Sequence, residues 1–328
     1  MNLPSPFVGD GHPGSKLEPD NLMIIANPPS EEAMPTAEEI VPATLAVSPR
    51  EPAPLLGVTR ILPARGWQLI NVRELWQFRE LIYFLTWRDV KVRYKQTLLG
   101  AAWAILQPLL MMVVFTIFFG RMAGVSSGGL PYPLFAYAGL LPWTFFATAI
   151  ASAGNSVIGS ERLITKIYFP RLAVPFAAVG AAAVDFLIAF GLLIVMMVYY
   201  RIAPGPGLLL VPTIFGAILI AGLGVGTLLA ALNVAYRDFR YVIPFLVQLW
   251  MFATPTVYMQ PTGARSGWAH VLLTLNPMTS LVAAFRAATL GGSIAWGRLG
   301  VATAGAVVLF LLGCFYFRRV EDTFADII

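Results

Sequence analysis

The chain is poor in the residue types that reactive or disulfide-stapled proteins are rich in. It has one cysteine, Cys314, and two histidines, His12 and His270, in 328 residues. A single cysteine excludes an intrachain disulfide, so the fold gains nothing from oxidative staples. Two histidines so far apart exclude an HExxH helix or a paired-histidine metal site. Charge is scarce as well. Asp, Glu, Lys and Arg are 12% of the residues, about half of the roughly 25% found in soluble domains. The net charge is +5 and the pI near 9.4. The basic residues are nevertheless scattered among apolar stretches rather than gathered on one face, which argues against nucleic acid. No basic start precedes a short apolar core, so no secretory leader is expected.

What the chain does have is apolar length. Hydrophobic residues make up 58% of it, and the mean hydropathy is +0.73. The block from Leu98 to Gly120 reads LLGAAWAILQPLLMMVVFTIFFG and carries no charge. A bilayer core takes about 20 residues of helix, so such a block is expected to span. Six spans are predicted, at 98–120, 133–154, 173–200, 208–232, 241–258 and 299–318. The fifth is the shortest and holds Pro244 and Pro255, which membrane helices tolerate where neighbours satisfy the freed backbone. Alternate loops carry 13 and 5 Lys and Arg residues respectively. That bias places both termini in the cytoplasm.

Residues 1–65 differ in kind. They hold twelve of the 25 prolines, with four basic and eight acidic residues, a net −4 against +9 for the remainder. A proline-rich acidic segment without apolar periodicity buries too little surface to offset its ordering entropy, so a disordered cytoplasmic tail is expected. Its fragment GDGHPGSK, Gly9 to Lys16, looks like a phosphate-binding loop, but Lys and Ser are in the wrong order. No strand precedes it and no helix pattern follows, so the match is read as chance. Residues 66–96 form a third region. Leu75, Phe78, Ile82 and Leu85 recur at helical spacing beside Trp76, Trp87 and a cationic run, which predicts an amphipathic helix in the interface plane. Residues 97–328 are then the membrane domain.

Few side chains could carry chemistry. Asp185 is the one acid near the middle of a predicted span, with no basic partner evident in the sequence. It is read as a hydrogen-bonded structural carboxyl ahead of a proton relay. Asn155 and Asn233 fall at span ends, where polar residues are ordinary. Aromatic residues cluster in and before the second span (Tyr132, Tyr137, Trp143, Phe146) and in the fifth (Trp250, Tyr258). Aromatic belts at the membrane surface explain some of them. The alternative is a path for a ligand with flat apolar faces and many hydroxyls, since these side chains offer an apolar face and a polar tip.

Four segments carry a resemblance. They are RDVKVRYKQTLLGAAWAILQP (Arg88 to Pro108), NSVIGSERLITKIYFPRLAVP (Asn155 to Pro175), NVAYRDFRYVIPFLVQLWMFATP (Asn233 to Pro255) and LNPMTSLVAAFRAATLG (Leu275 to Gly291). In this order they resemble the permease subunits of type-2 ABC transporters that export lipid-linked polysaccharides such as O-antigen, teichoic acid and capsule. The likeness covers about 70–328, and the long acidic tail departs from it.

The resemblance implies an all-α polytopic protein of six transmembrane helices, with an interfacial N-terminal helix and re-entrant outer helices at 261–296 before the last span. It implies a homodimer in the bacterial inner membrane, moving lipid-linked polysaccharide, O-antigen first among them, outward. Two separate ATPase subunits would dock beneath and hold ATP and Mg2+. This chain would bind no cofactor and would not be an enzyme. The loop between the second and third spans, with Ser160, Glu161, Arg162 and Lys166, would couple to the ATPase, and Arg237 and Asp238 would lie on the same side. The rivals are an ABC permease for small lipophilic drugs, which would lack the KIYFPR run, and a membrane-embedded glycosyltransferase, which would need paired acids or a metal site. A simple solute channel would need no coupling loops.

Overall fold

A computed structural model describes residues 72–95, 102–203, 205–258 and 275–324. The tail and residues 66–71 lie outside them, as does the first part of the expected re-entrant region. Every regular element among the described residues is helical. The elements are α1 (Val72–Gln77), α2 (Arg79–Lys95), α3 (Ala102–Phe115, continued to Met122 as a π-helical turn), α4 (Tyr132–Gly159), α5 (Glu161–Ile164), α6 (Ala173–Tyr199), α7 (Val211–Ala235), α8 (Phe239–Phe252), α9 (Pro277–Leu290) and α10 (Trp296–Val320).

Five helical segments are long and apolar enough to cross a membrane: Ala102–Met122, Tyr132–Gly159, Ala173–Tyr199, Pro206–Ala235 and Trp296–Val320. They coincide with five of the expected spans. The other one, expected at 241–258, is a helix of only 14 residues. That is about 21 Å of helix, short of a hydrocarbon core of about 30 Å. The local reason is Pro255, which steers the preceding residue off the helical region. Thr254 through Val257 form a buried turn instead.

The bundle centres on α4. That helix packs against α3, α6, α7, α8 and α9, and most of its length is buried. Interlocked rings fill the space beside it. Phe186 of α6 stacks on Phe215 of α7 with centroids 4.1 Å apart, and Phe145 of α4 lies 4.9 Å from the same Phe215. On its far side α7 meets α10 at close quarters. A Cβ on Gly313 would fall 2.1 Å from the Gly224 carbonyl oxygen, and one on Gly224 would fall 2.5 Å from the Phe310 backbone nitrogen. Only glycine lets the two backbones approach so closely, and small residues drive helix contact where lipid leaves no hydrophobic difference.

The N-terminal helices do not stand apart from the bundle. The Thr86 hydroxyl of α2 donates to the Ala177 carbonyl of α6 at 3.3 Å. About two helical turns further along both helices, Arg93 reaches Asp185. So α2 runs beside the first half of α6 in the same direction. Along α1 and α2, Leu85 is buried, and Leu75, Phe78 and Ile82 pack on the core. The opposite face is aromatic, with Trp76, Tyr83, Phe84 and Trp87 exposed.

The glycine crossing gives a direct test. Gly313→Ala is expected to destabilise the protein by about 1–3 kcal/mol or more, the scale of overpacking, whereas Gly305→Ala on the same helix, with open space around it, is expected to stay within about 0.5 kcal/mol. Thermal unfolding of the two purified variants in the same detergent compares them.

Candidate functional site

The groups expected to meet a partner gather at one end of the bundle because α4 ends, α6 begins and α7 ends there. Two asparagines tie these ends together. Asn233, near the end of α7, is fully buried and donates through Nδ2 to the Gly154 carbonyl at 2.9 Å and to Asn155 Oδ1 at 3.2 Å. Asn155 in turn donates to the Ala151 carbonyl at 2.9 Å. The sequence reading passed over this pair as ordinary polar residues at span ends. Nothing local marks it, since the partners lie 78 residues apart.

The turn from α4 to α6 is anchored by inward residues and offers the rest. Ile164 and Phe169 are buried in a small second core with Leu172, Phe317 and Phe324, against which Leu75 and Phe78 pack. Glu161, Arg162 and Lys166 are exposed, as expected, while Ser160 is buried. Two residues the sequence reading missed are also exposed: Ile167 at 58% and Tyr168 at 74%. Arg237 and Asp238 are exposed in the α7–α8 turn, flanked by exposed Tyr236 and Tyr241. The exposed surface of these two turns is thus mixed, with charged and apolar groups side by side.

An ionic cluster joins three segments at this same end. Arg318 at the end of α10 donates to Glu74 of α1 at 3.1 Å and lies 3.6 Å from Glu321. Burial, opposed by Arg318, lifts the Glu321 carboxyl from the ordinary 4.5 to about 7. Asp322 and Glu74 raise it further, and Arg171 lowers it.

At mid-helix Asp185 is not alone, contrary to the sequence reading. Arg93 and Tyr94, side by side at the end of α2, both donate to its carboxylate. The Asp185 side chain is 21% exposed and that of Arg93 34%, so the pair is partly screened and its strength lies between the surface and buried limits. A sequence window cannot show this contact, because the partners are 92 residues apart.

The aromatic residues divide. Tyr137, Trp143 and Phe146 are fully buried inside the subunit. The Tyr137 hydroxyl donates to the Ala189 carbonyl at 2.9 Å, and Phe146 meets Trp250 edge-on at 5.1 Å. They pack the core of this protomer because α4 is surrounded, and they offer no face to a ligand here. Tyr132, Trp250 and Tyr258 are partly exposed, at the end opposite the α4–α6 turn. There the Tyr132 hydroxyl donates to the Val257 carbonyl at 2.8 Å, and Trp250 Nε1 to Asn276 Oδ1 at 3.0 Å. Asn276 also caps α9 by accepting from the Met278 amide at 3.1 Å. Arg286 is in α9. Its guanidinium lies 3.9 Å over the Phe135 ring and donates to the Thr256 carbonyl. Among the described residues no three His, Cys, Asp or Glu side chains gather where a metal ion could sit.

Long apolar helices around a central α4, with charged turns collected at one end, define a polytopic helical membrane protein. The chain belongs to the ABC-2 type transporter family, which matches residues 80–290. It is 33% identical to the O-antigen export system permease protein RfbA of Myxococcus xanthus over 217 residues, covering 66% of this chain and 82% of that protein. It is 26% identical to the protein of the same name from Klebsiella pneumoniae over 251 residues, 76% and 95% of the two chains. The polysialic acid transport protein KpsM of Escherichia coli is 22% identical over 244 residues, 72% and 91%. The chain is therefore a transporter's membrane subunit rather than an enzyme.

Two measurements follow. A double-mutant cycle on Arg93→Gln and Asp185→Asn, read by thermal unfolding in detergent, is expected to give a coupling energy of about 0.5–3 kcal/mol; additive effects would mean that the pair carries no weight. The second concerns Glu321. Its folded state keeps a proton that the unfolded chain loses first, so its stabilising contribution is complete below about 4.5 and gone above about 7. Stability is expected to fall as pH rises through that window, and Glu321→Gln to flatten the dependence.

Proposed function

We propose that this chain is the permease subunit of an ATP-driven exporter of lipid-linked polysaccharide, with O-antigen the foremost candidate. The observation that carries the reading is the match to O-antigen export permeases along nearly the whole membrane region, up to 95% of the relative's length. The polysialic acid transport relative supports a glycan cargo more broadly. A permease for small lipophilic compounds is not favoured by any of these likenesses, and neither is a glycosyltransferase.

The subunit acts as a homodimer in the bacterial inner membrane, with six membrane-crossing segments in which the short α8 and its buried turn serve as the fifth. Both termini are cytoplasmic, in keeping with the 13-to-5 bias of loop Lys and Arg. The exposed aromatic face of α1 and the start of α2 meets the membrane near its surface, where amphipathic rings are at home, and the end of α2 follows α6 inward to Asp185. The acidic tail at 1–65 lies in the cytoplasm, and α9 with the segment before it forms the re-entrant outer part. Two ATPase subunits holding ATP and Mg2+ dock on Glu161, Arg162, Lys166, Arg237 and Asp238. Exposed Ile167 and Tyr168 add the apolar area that such an interface requires. Closure of the ATPases pushes this turn, and the buried Asn155–Asn233 pair passes the push to α4 and α7 together. The partly exposed Tyr132, Trp250 and Tyr258 serve the outer part of the glycan path, and weak contacts at many sites let a polymer move on.

Deletion of the gene in its host is expected to leave lipid-linked polysaccharide in the cytoplasmic leaflet, and the intact chain to restore surface glycan. Normal surface glycan in the deletion strain would refute the export reading. The purified chain is expected to hydrolyse no ATP until its ATPase is co-expressed. Glu161→Arg combined with Arg162→Glu keeps the net charge and so should leave membrane levels unchanged. It should abolish export and weaken assembly, since like charges brought together at an interface cost several kcal/mol. Orientation is read with Cys314→Ser as background: Ser126→Cys should react with an impermeant thiol reagent from outside, and Lys166→Cys only after lysis.

A further inference from the structure

A cavity of about 440 Å³ lies between α3, α4 and α6, with the end of α2 at one wall. It falls within the roughly 300–1,000 Å³ range of small-molecule sites. Its chemistry is unusual for a space between apolar helices. Thr144, Thr148 and Ser152 recur every fourth residue along the α4 wall, so they share one face. Gln107 adds an amide from α3. The Thr144 hydroxyl turns back to the Leu141 carbonyl at 2.9 Å. No protein group among the described residues takes up the Thr148 or Ser152 hydroxyl. Trp103 of α3 and Phe186 of α6 supply ring faces to the same space.

Three classes of occupant can be weighed. An acyl chain would strand Gln107, Thr148 and Ser152 in an apolar surrounding, and a polar group without a partner is costly there. A phosphate would need a free cation. The cation at this wall, Arg93, is already neutralised by Asp185, whose carboxylate would also repel an anion. A neutral, hydroxyl-rich ring meets both demands. Its hydroxyls bond to Gln107, Thr148 and Ser152, and its apolar face lies on Trp103 or Phe186. We infer that this cavity holds a neutral sugar unit of the transported glycan and forms an inner stretch of its path, distinct from the aromatic residues at the outer end. The inference rests on the polysaccharide-export reading. It also gives the Arg93–Asp185 pair a second consequence, since a neutralised wall does not trap a ligand electrostatically.

The test uses the assembled transporter in native membranes, with Cys314→Ser as background. Thr148→Cys is exposed to a small impermeant thiol reagent in membranes from cells that make the lipid-linked polysaccharide and from cells blocked before its first sugar. Reaction is expected in the blocked membranes and is expected to be several-fold slower in the loaded ones, while Ser126→Cys, in the turn between α3 and α4, reacts equally in both. Equal rates at Thr148→Cys would mean a cavity holding only water, and no reaction in either membrane would mean one closed by lipid; both overturn the inference. As a second arm, Thr148→Val with Ser152→Ala is expected to cut export about two- to ten-fold at equal membrane level, the scale of a lost hydrogen bond. Thr148→Ser, which keeps the hydroxyl, is expected to lose less export than Thr148→Val. Undiminished export from the double variant overturns the inference as well. Failure of the unsubstituted chain to restore export would instead refute the export reading, so the two failures are told apart.

Discussion

Two apolar helices that meet in a bilayer release no water, so their association has to come from contact at short range. In this protein that demand falls on α7. One side of it lies against α4, where Gly226 would set a Cβ 2.7 Å from that of Ala153, and the other lies against α10, at Gly224 and Gly313. Larger residues at these positions would hold the helices apart and forfeit dispersion along their whole length. Once α7 is clamped between α4 and α10, the rest of the architecture has little freedom. The ends of α4 and α7 are brought side by side, α6 closes over the Phe145–Phe186–Phe215 rings, and α9 fills the space at the opposite end.

The two ends of this bundle are built differently, and the difference bears on motion. At the end that holds the α4–α6 turn the contacts come from distant segments: α1, that turn and the end of α10 share one small core and one ionic cluster. Any displacement of the turn would therefore reach α1 and α10 as well as α4, because packed cores shift between discrete arrangements rather than deforming gradually. At the other end the contacts are directional. The buried turn at Thr254–Val257 is held by Tyr132, Asn276 and Arg286 through hydrogen bonds to its backbone and side chains. Such bonds fix geometry more than they fix volume.

Much of the fold was legible because the signal was large and local. An uncharged block of twenty or so residues has one cheap environment, and five blocks became the five long helices within a few residues. The shortened α8 was also written in the chain, in Pro255, although apolar length alone extended it to residue 258. Exposure was legible where it follows from charge, as at Glu161, Arg162 and Lys166. It was not legible where the same residue type serves two ends. Tyr137, Trp143 and Phe146 look like ligand-facing aromatics in a window, yet α4 has neighbours on every side, so its rings have only core to fill. Ile167 and Tyr168 are the converse: they look like anchors of a short turn, but Ile164 and Phe169 already fill that role. Partners far apart in sequence, such as Arg93 with Asp185 and Asn155 with Asn233, leave no local trace at all.

The polar groups at depth complete the argument. A buried charge is costly unless its partner is close and its remaining bonds are satisfied, and two unequal solutions coexist here, since Arg286 keeps a buried Nε without a hydrogen-bond partner. Arg93 and Asp185 neutralise each other, with Tyr94 supplying a further donor to the carboxylate. Arg286 instead relies on the Phe135 ring and the Thr256 carbonyl. The first solution leaves a neutral wall beside a hydroxyl-lined space, and the second leaves a residual positive charge near the outer turn. A neutral polymer moving outward would thus meet no deep electrostatic well between the coupling end and that turn. Weak binding at each step suits the continuous movement of a long chain, and a charge distribution of this kind would add no electrostatic trap to the hydrogen bonds proposed for the inner cavity.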